Sequence, residues 1–218
     1  MDTERVIEKT NYQTQVYNLL ENMIIHGKLK PGQRLIAAEL AVSLGVSRSP
    51  VREAIVALSQ DRLVDKNGNG WVVSKVSLQD IIESYEVRKL IEIHAGEQGC
   101  LNCPPDILDE MKTIVNELDS LVELETFREK DRRFHELIVL SAGNKKFYEV
   151  FLWARRNIRW CGYLNIEIPG RREQTASEHR AILKGFLNRD PDYLKKAIQS
   201  HISSVQKTVT NNWDKYGF

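Results

Sequence analysis

The chain has 218 residues, 42% hydrophobic and 28% charged, with a net charge of +1. That composition belongs to a globular protein with its own core, large enough for one sizeable domain or two modest ones. No stretch approaches the roughly 18 uninterrupted apolar residues of a membrane helix, and the opening MDTERVIEKT lacks the apolar segment of a secretory signal; no membrane partner is expected, and the cytoplasm is the expected compartment. Three cysteines, Cys100, Cys103 and Cys161, are too few and too odd in number for a disulfide framework.

From Asn11 to His26, Val16, Leu19, Leu20, Met23 and Ile24 fall at helical spacing, and Gly27 supplies a left-handed stop. After the turn signal Pro31-Gly32, a short helix is predicted from about Ala37 to Leu44, stopped by Gly45. Ser47 can cap the next helix, with Pro50 in its first turn and Arg52, Ala54, Ile55 and Leu58 carrying it to about Gln60. The segment LVDKNGNGWVVSKV predicts two short strands around Asn67-Gly68-Asn69-Gly70. Beyond Val76 no strand-like alternation remains. Helices are predicted over about 78–100, 105–124, 126–141, 144–164, 172–188 and 190–214, several of them separated by Pro104-Pro105, Gly143-Asn144, Pro169-Gly170 and Asp190-Pro191. The expected architecture is therefore mainly α: a winged helix-turn-helix with a small β-hairpin wing over residues 1–76, and an all-α bundle over 77–218. Residues 1–76 carry 10 basic against 8 acidic side chains, a net +2, and the remainder carries −1; an asymmetry this small leaves the argument to motifs.

The most informative stretch is ELAVSLGVSRSPVREAIVALSQDRLV. Two short helices joined at Gly45 make a helix-turn-helix, locked by Ala41, Leu44, Val46, Val51 and Ile55. The second helix presents Ser47, Arg48, Ser49 and Arg52 near its N-terminus, where a recognition helix meets base edges. An arginine fork suits guanine O6 and N7, and hydroxyls beside a helix N-terminus suit phosphates. Trp71 is expected to pack at the root of the wing. Residues 11–74, above all LKPGQRL, LGVSRSPVREAI and LV…GNGWVV, resemble the GntR family of bacterial regulators, and the helical remainder resembles its FadR-type subgroup, whose C-terminal part is an FCD ligand-binding domain. By this resemblance Arg34, Arg48, Arg52 and Gly70 take DNA-contacting positions. Ala37 and Ala38 stand where the family often has Glu and Arg, and Asn69 where the wing often carries Arg, so the operator sequence is not carried over.

A second constellation is Asp131, His135, His179 and His201. Asp131 and His135, four apart, share one helical face, while His179 and His201 lie on two further helices. One carboxylate and three imidazoles suit a divalent ion such as zinc, nickel or manganese. Each histidine alone reads as a hydrogen-bonded residue; D-x-x-x-H followed by two helical histidines resembles the metal-binding pattern of many FCD domains, and this resemblance favours a metal site. It also implies that Arg88 faces the pocket and pairs with an effector carboxylate, although an intrahelical pair with Glu92 is an equal reading. His94 is left out of the metal set; Tyr85, Arg155, Asn157 and Arg159 are further pocket candidates. Cys100-x-x-Cys103 ends a helix before a Pro-rich turn and reads as structural.

The function expected is a ligand-responsive transcription regulator, a repressor by family habit: a homodimer on a pseudo-palindromic double-stranded operator, with a metal-assisted pocket for a carboxylate effector. A metal-dependent hydrolase using the site of Asp131 and the three histidines is the alternative; it lacks a recognisable general acid or base and leaves the winged module unexplained. A ligand-binding scaffold that has lost DNA binding is a third, suggested by Ala37 and Ala38.

Overall fold

The computed structural model describes residues 10–120 and 123–216, with the side chains of 10, 11, 157, 159, 160, 163, 164, 215 and 216 excepted. Two compact units divide the chain, one made of the residues up to Ser77 together with those from Tyr216, and the other running from Leu78 to Lys215.

The first unit opens with α1 (Thr10–Ile25), which buries Val16, Leu20, Ile24 and Ile25. Leu19, expected on that stripe, is exposed: the buried stripe runs 16, 20, 24, and Leu19 falls beside it. Gly27 at φ +70° turns the chain out of the helix. Then follow β1 (Arg34–Leu35), α2 (Ala37–Leu44), α3 (Arg48–Gln60), β2 (Val64–Asn67) and β3 (Gly70–Val73). Gly45 at φ +66° closes α2, its N–H donating to the Ala41 and Val42 carbonyls. Helix α3 is the core of the unit: Val51, Ala54, Ile55 and Leu58 are all fully buried, and α1 and α2 both pack on it. Ser47 sits at the N-cap of α3 with extended backbone, but its side chain makes no capping hydrogen bond and stays exposed. The hairpin turns through Gly68-Asn69, with Gly68 at φ +57° as a two-residue loop requires. A third strand, β1, pairs antiparallel with β3 (Arg34 opposite Val72, Leu35 opposite Trp71), giving the order β1-β3-β2. Two residues are too short to leave a period in the sequence, so β1 is visible only in the structure.

Among the described residues the second unit holds six helices, α4 (Leu78–Leu101), α5 (Pro105–Leu118), α6 (Leu124–Leu140), α7 (Lys145–Ile166), α8 (Arg171–Asn188) and α9 (Pro191–Asn211), and a 3-10 turn at Trp213–Tyr216 follows in the chain. No helix among the described residues is long and apolar enough to cross a membrane. Helix α5 stops at Leu118, short of the end near 124 that the sequence predicts. Ser120 explains it: its hydroxyl and its N–H both bond the Glu117 carbonyl, at 2.8 and 3.0 Å, offering the backbone an alternative to the next helical turn. Between α8 and α9 the chain turns within two residues: Arg189 takes the left-handed conformation at φ +50°, Asp190 caps α9 by accepting from Tyr193 N–H, and Pro191 fills the first turn.

Helix α4 is the hub, packed against α6, α7 and α9. Its buried stripe, Ile81, Ser84, Tyr85, Arg88, Glu92, Ala95, Gly96, Gly99 and Cys100, mixes apolar residues with two charges. Close approach at its C-terminal end depends on glycine. A Cβ on Gly99 would stand 2.7 Å from the backbone carbonyl carbon of Ser141, an atom that cannot rotate away. Gly99→Ala therefore forces α4 and α6 apart, and is expected to destabilise the unit by about 1–3 kcal/mol, lowering the melting temperature by several degrees; an unchanged melting curve would contradict this packing.

Candidate functional site

In the winged module, Arg48 and Arg52 stand one turn apart on α3, both exposed, and neither enters an ion pair among the described residues. Ser47 and Ser49 are exposed beside them; the Ser49 hydroxyl donates to Glu53 at 3.0 Å, so its lone pairs, not its proton, face outward. Arg34, on β1, has guanidinium nitrogens 3.3 and 3.4 Å from where a Gly70 Cβ would be. Gly70 thus leaves room for the Arg34 side chain along the wing. Trp71 is half-buried beside Arg34, Asn67 and Val72, in keeping with packing at the wing root.

In the helical unit, α6, α8 and α9 bring His135, His179 and His201 together. All three are buried, and their ligand nitrogens lie within 4.8 Å of one another. The ring centroids are 4.9–5.0 Å apart, and His179 stacks on Phe134 at 4.3 Å. The His135 and His201 Nε2 atoms are 3.1 Å apart. Asp131 reaches the cluster from the turn before His135: its Oδ1 is 3.4 Å from His179 Nε2 and 3.8 Å from His135 Nε2. The four residues singled out in the sequence thus lie together, three as a tight group and Asp131 against two of them. His94 stands apart, bonded to Gln98 at 3.0 Å and edge-on to Phe147.

The surroundings fix the chemistry of these rings. His135 Nδ1 is 2.6 Å from Glu92 Oε2, and His201 Nδ1 is 2.7 Å from Glu178 Oε2. An ionised carboxylate only accepts, so each Nδ1 carries the proton and each Nε2 presents a lone pair. Burial, then the neighbouring Arg88 cation, holds His135 well below its ordinary pKa, and burial with His201 holds His179 at about 3. Burial works against ionised Asp131, but the imidazoles and the Arg155 and Arg88 guanidiniums outweigh it and keep the carboxyl at about 2. At neutral pH His135 and His179 are therefore neutral imidazoles and Asp131 a carboxylate, the form that ligates metals. Both ring nitrogens of His179 lack a hydrogen-bond partner in the interior, and two lone pairs 3.1 Å apart repel unless a cation lies between them. Two imidazoles binding one ion at about 2.0–2.1 Å stand at about this separation. The donor set fits a divalent metal.

Arg88 forms the intrahelical pair that the sequence allowed. Its Nε donates to Glu92, and it is 5% exposed, yet its Nη2 has no partner in the buried interior. Arg155 faces the same region: burial and the adjacent Arg88 cation pull it down to about 10, still protonated at neutrality. Tyr85, buried and raised by that burial, lies 6.0 Å under the Arg88 guanidinium. The side chains of Asn157 and Arg159 lie outside the described residues. Glu92 and Glu178 are site residues that sequence reasoning misses; Glu92 reads there only as a helical partner of Arg88, and Glu178 precedes His179 without any spacing rule to point at it. Cys100 is buried and donates to the Gly185 carbonyl at 3.4 Å, and burial raises it and Cys103 above the ordinary thiol value, so the C-x-x-C pair is packing and not a reactive dithiol.

A winged helix-turn-helix is the architecture of a class of DNA-binding proteins, and here a helical unit with a three-histidine cluster follows it in the chain. The family model for bacterial regulatory proteins of the gntR family matches residues 12–73, and the FCD domain model matches residues 83–204. The chain belongs to the GntR family of transcriptional regulators and carries an FCD domain. Among curated proteins it is similar to the HTH-type regulator YdhC of Bacillus subtilis, 29% identical over 93% of each chain. It is 25% identical to the gluconate operon transcriptional repressor of Bacillus licheniformis, over 96% of this chain and 90% of that one. Among solved structures, McbR/YncC of E. coli superposes with a TM-score of 0.68 at 21% identity, covering 94% of this chain and 99% of that one. The curated relatives are named as transcriptional regulators, and the hydrolase alternative finds no support.

The buried neutral imidazoles make a prediction for the metal-free protein. His135 and His179 have folded pKa values below the unfolded value of 6.5, so below pH 6.5 the unfolded chain binds protons that the folded chain does not. Stability is then lost as pH falls from 6.5 towards 3, by about 1.4 kcal/mol per pH unit for each ring; Asp131 and Glu178, both held at about 2, extend the loss into stronger acid. Unfolding at pH 5 should take up about two more protons than at pH 8, as measured by the slope of stability against pH. A flat profile between pH 7 and 5 would contradict the neutral, buried assignment.

Proposed function

We propose that the protein is a repressor that binds a pseudo-palindromic operator as a homodimer, and that its helical unit senses a small carboxylate with the help of a divalent ion. The observation that carries the sensing half is the convergence of three imidazoles and Asp131 near the unpartnered Arg88 Nη2. Asp131, His135, His179 and His201 would hold the ion, which would act there as a Lewis acid that binds an anionic oxygen; zinc, nickel and manganese all suit the donors. Arg88 would receive the effector carboxylate, with Arg155 adding positive charge. Repression is supported by relatives named as repressors, among them RspR of Escherichia coli at 23% identity. Support for a homodimer comes from Leu90 on α4 and Trp153 on α7, which are 71% and 45% exposed on two helices packed together. The cytoplasm is the compartment such a regulator would occupy.

On the DNA side, α3 would lie in the major groove, with Arg48 and Arg52 at base edges, Ser47 and Ser49 at phosphates, and Arg34 with Gly70 along the wing. An effector alters this binding only through a difference in its affinity for the DNA-competent and incompetent states. The Arg48→Ala/Arg52→Ala variant is expected to lose about 10–100-fold in operator affinity per side chain, with circular dichroism and melting unchanged, because both residues are exposed and unpaired. Wild-type operator affinity in the folded variant would defeat the assignment of α3.

A further inference from the structure

Two side-chain chains of the same composition run into the metal cluster from opposite flanks. On one, Arg88 Nε donates to Glu92 Oε1, and Glu92 Oε2 accepts from His135 Nδ1 at 2.6 Å. On the other, Arg171 Nη1 and Nη2 donate to Glu178 at 3.2 and 3.0 Å, and Glu178 Oε2 accepts from His201 Nδ1 at 2.7 Å. Both arginines and Glu92 are buried, and Glu178 keeps only 16% side-chain exposure. The chains end on the two Nε2 atoms that face each other at 3.1 Å. His179, the third ring, has no such support, since both its nitrogens are without a partner.

We infer that Glu92 and Glu178 are positioning residues for the metal, each holding its histidine in the Nδ1–H form with Nε2 turned to the ion, and each held in turn by an arginine. The inference rests on the metal reading above and adds which residues outside the ligand set govern it. Two physical consequences follow. A carboxylate bonded to Nδ1–H fixes the ring's tautomer and rotation and makes Nε2 a stronger donor, and losing such a partner typically costs about 10–100-fold in metal affinity. A buried carboxylate without a counter-charge is costly, which is why each Glu is paired with an Arg. The two chains differ at their outer ends. Arg171 spends both terminal nitrogens on Glu178 and Ser204 and leaves Nε without a partner, whereas Arg88 spends Nε on Glu92 and leaves Nη2 without one. Each carboxylate thus links a histidine of the cluster to a guanidinium with one unpartnered nitrogen, the terminal Nη2 on the Arg88 side and the inner Nε on the Arg171 side.

The test is zinc affinity of the full chain, measured by competition with a chromophoric chelator, for wild type, Glu92→Gln, Glu178→Gln and the control Glu136→Gln, whose carboxylate pairs with Arg132 and Arg133 on its own helix. Melting curves report whether each variant is folded. Both site variants should bind zinc about 10–100-fold more weakly, with the control unchanged. Nitrogen-15 spectra of the zinc-loaded wild type should show His135 and His201 protonated at Nδ1 and metal-bound at Nε2, and the His201 Nδ1–H signal should lose its hydrogen-bonded shift in Glu178→Gln. If burial of unpaired Arg88 prevents Glu92→Gln from folding, Glu178→Gln decides alone. Affinity equal to wild type in a folded site variant, or zinc on Nδ1 of either ring, overturns the positioning role while leaving the metal site standing. A wild type that takes up no zinc overturns the metal reading itself.

Discussion

Two opposite charges one turn apart, Arg88 and Glu92, lie on the buried stripe of α4, and the helical unit is organised around satisfying them. Ionised groups in a protein interior cost several kcal/mol each unless every lone pair and proton finds a partner. Glu92 is fully buried and spends one oxygen on Arg88 and the other on His135 of α6. That contact fixes the His135 ring, and His135 faces His201 of α9, whose far nitrogen is held by Glu178 of α8. Four helices are thus tied by one polar network, and the buried Phe134 ring stacks on His179 beside it. A network half-satisfied would be worse than an apolar core. The parts left without partners, His179 and Arg88 Nη2, are the places where an ion and an anion would complete it.

Much of this was legible from the residues. The stops at Gly27, Gly45 and Asp190-Pro191 carry their own backbone chemistry, and the Gly68-Asn69 turn announces the hairpin. The grouping of Asp131 with the three histidines was legible because Asp131 and His135 obey the i,i+4 spacing of one helical face and the resemblance to FCD domains adds the two further helical histidines. The supporting shell was not. Glu92 looks like half of a surface ion pair until its burial is known, and Glu178 and Arg171 look like solvated charge on a polar helix. Periodicity gives a helix's stripe only when the stripe is apolar; on α4 and α8 it carries charge, so the rotation of both helices was hidden. The end of α5 was hidden for a different reason, since Ser120 stops a helix by a side-chain bond that no Gly or Pro advertises.

The winged unit reads differently because its function is on its outside. Its core demands are met by α3, whose apolar face is fully buried, and that leaves the opposite face free of structural duty. Arg48 and Arg52 have no internal partner among the described residues, which is a cost for a surface designed only to fold and an asset for one that binds an external anion.

The central claim, that the polar network of the helical unit is built around a metal ion, is tested most directly by metal content. Plasma mass spectrometry of untagged protein, and of its His179→Ala variant, after equilibration with divalent metals is the measurement. The account predicts about one ion per chain in the wild type and loss of that ion in the variant, because the ring of His179 supplies a ligand nitrogen that no other group replaces. A wild type without bound metal would contradict it and leave the three histidines as a hydrogen-bonded core, with Arg88 alone to receive the effector.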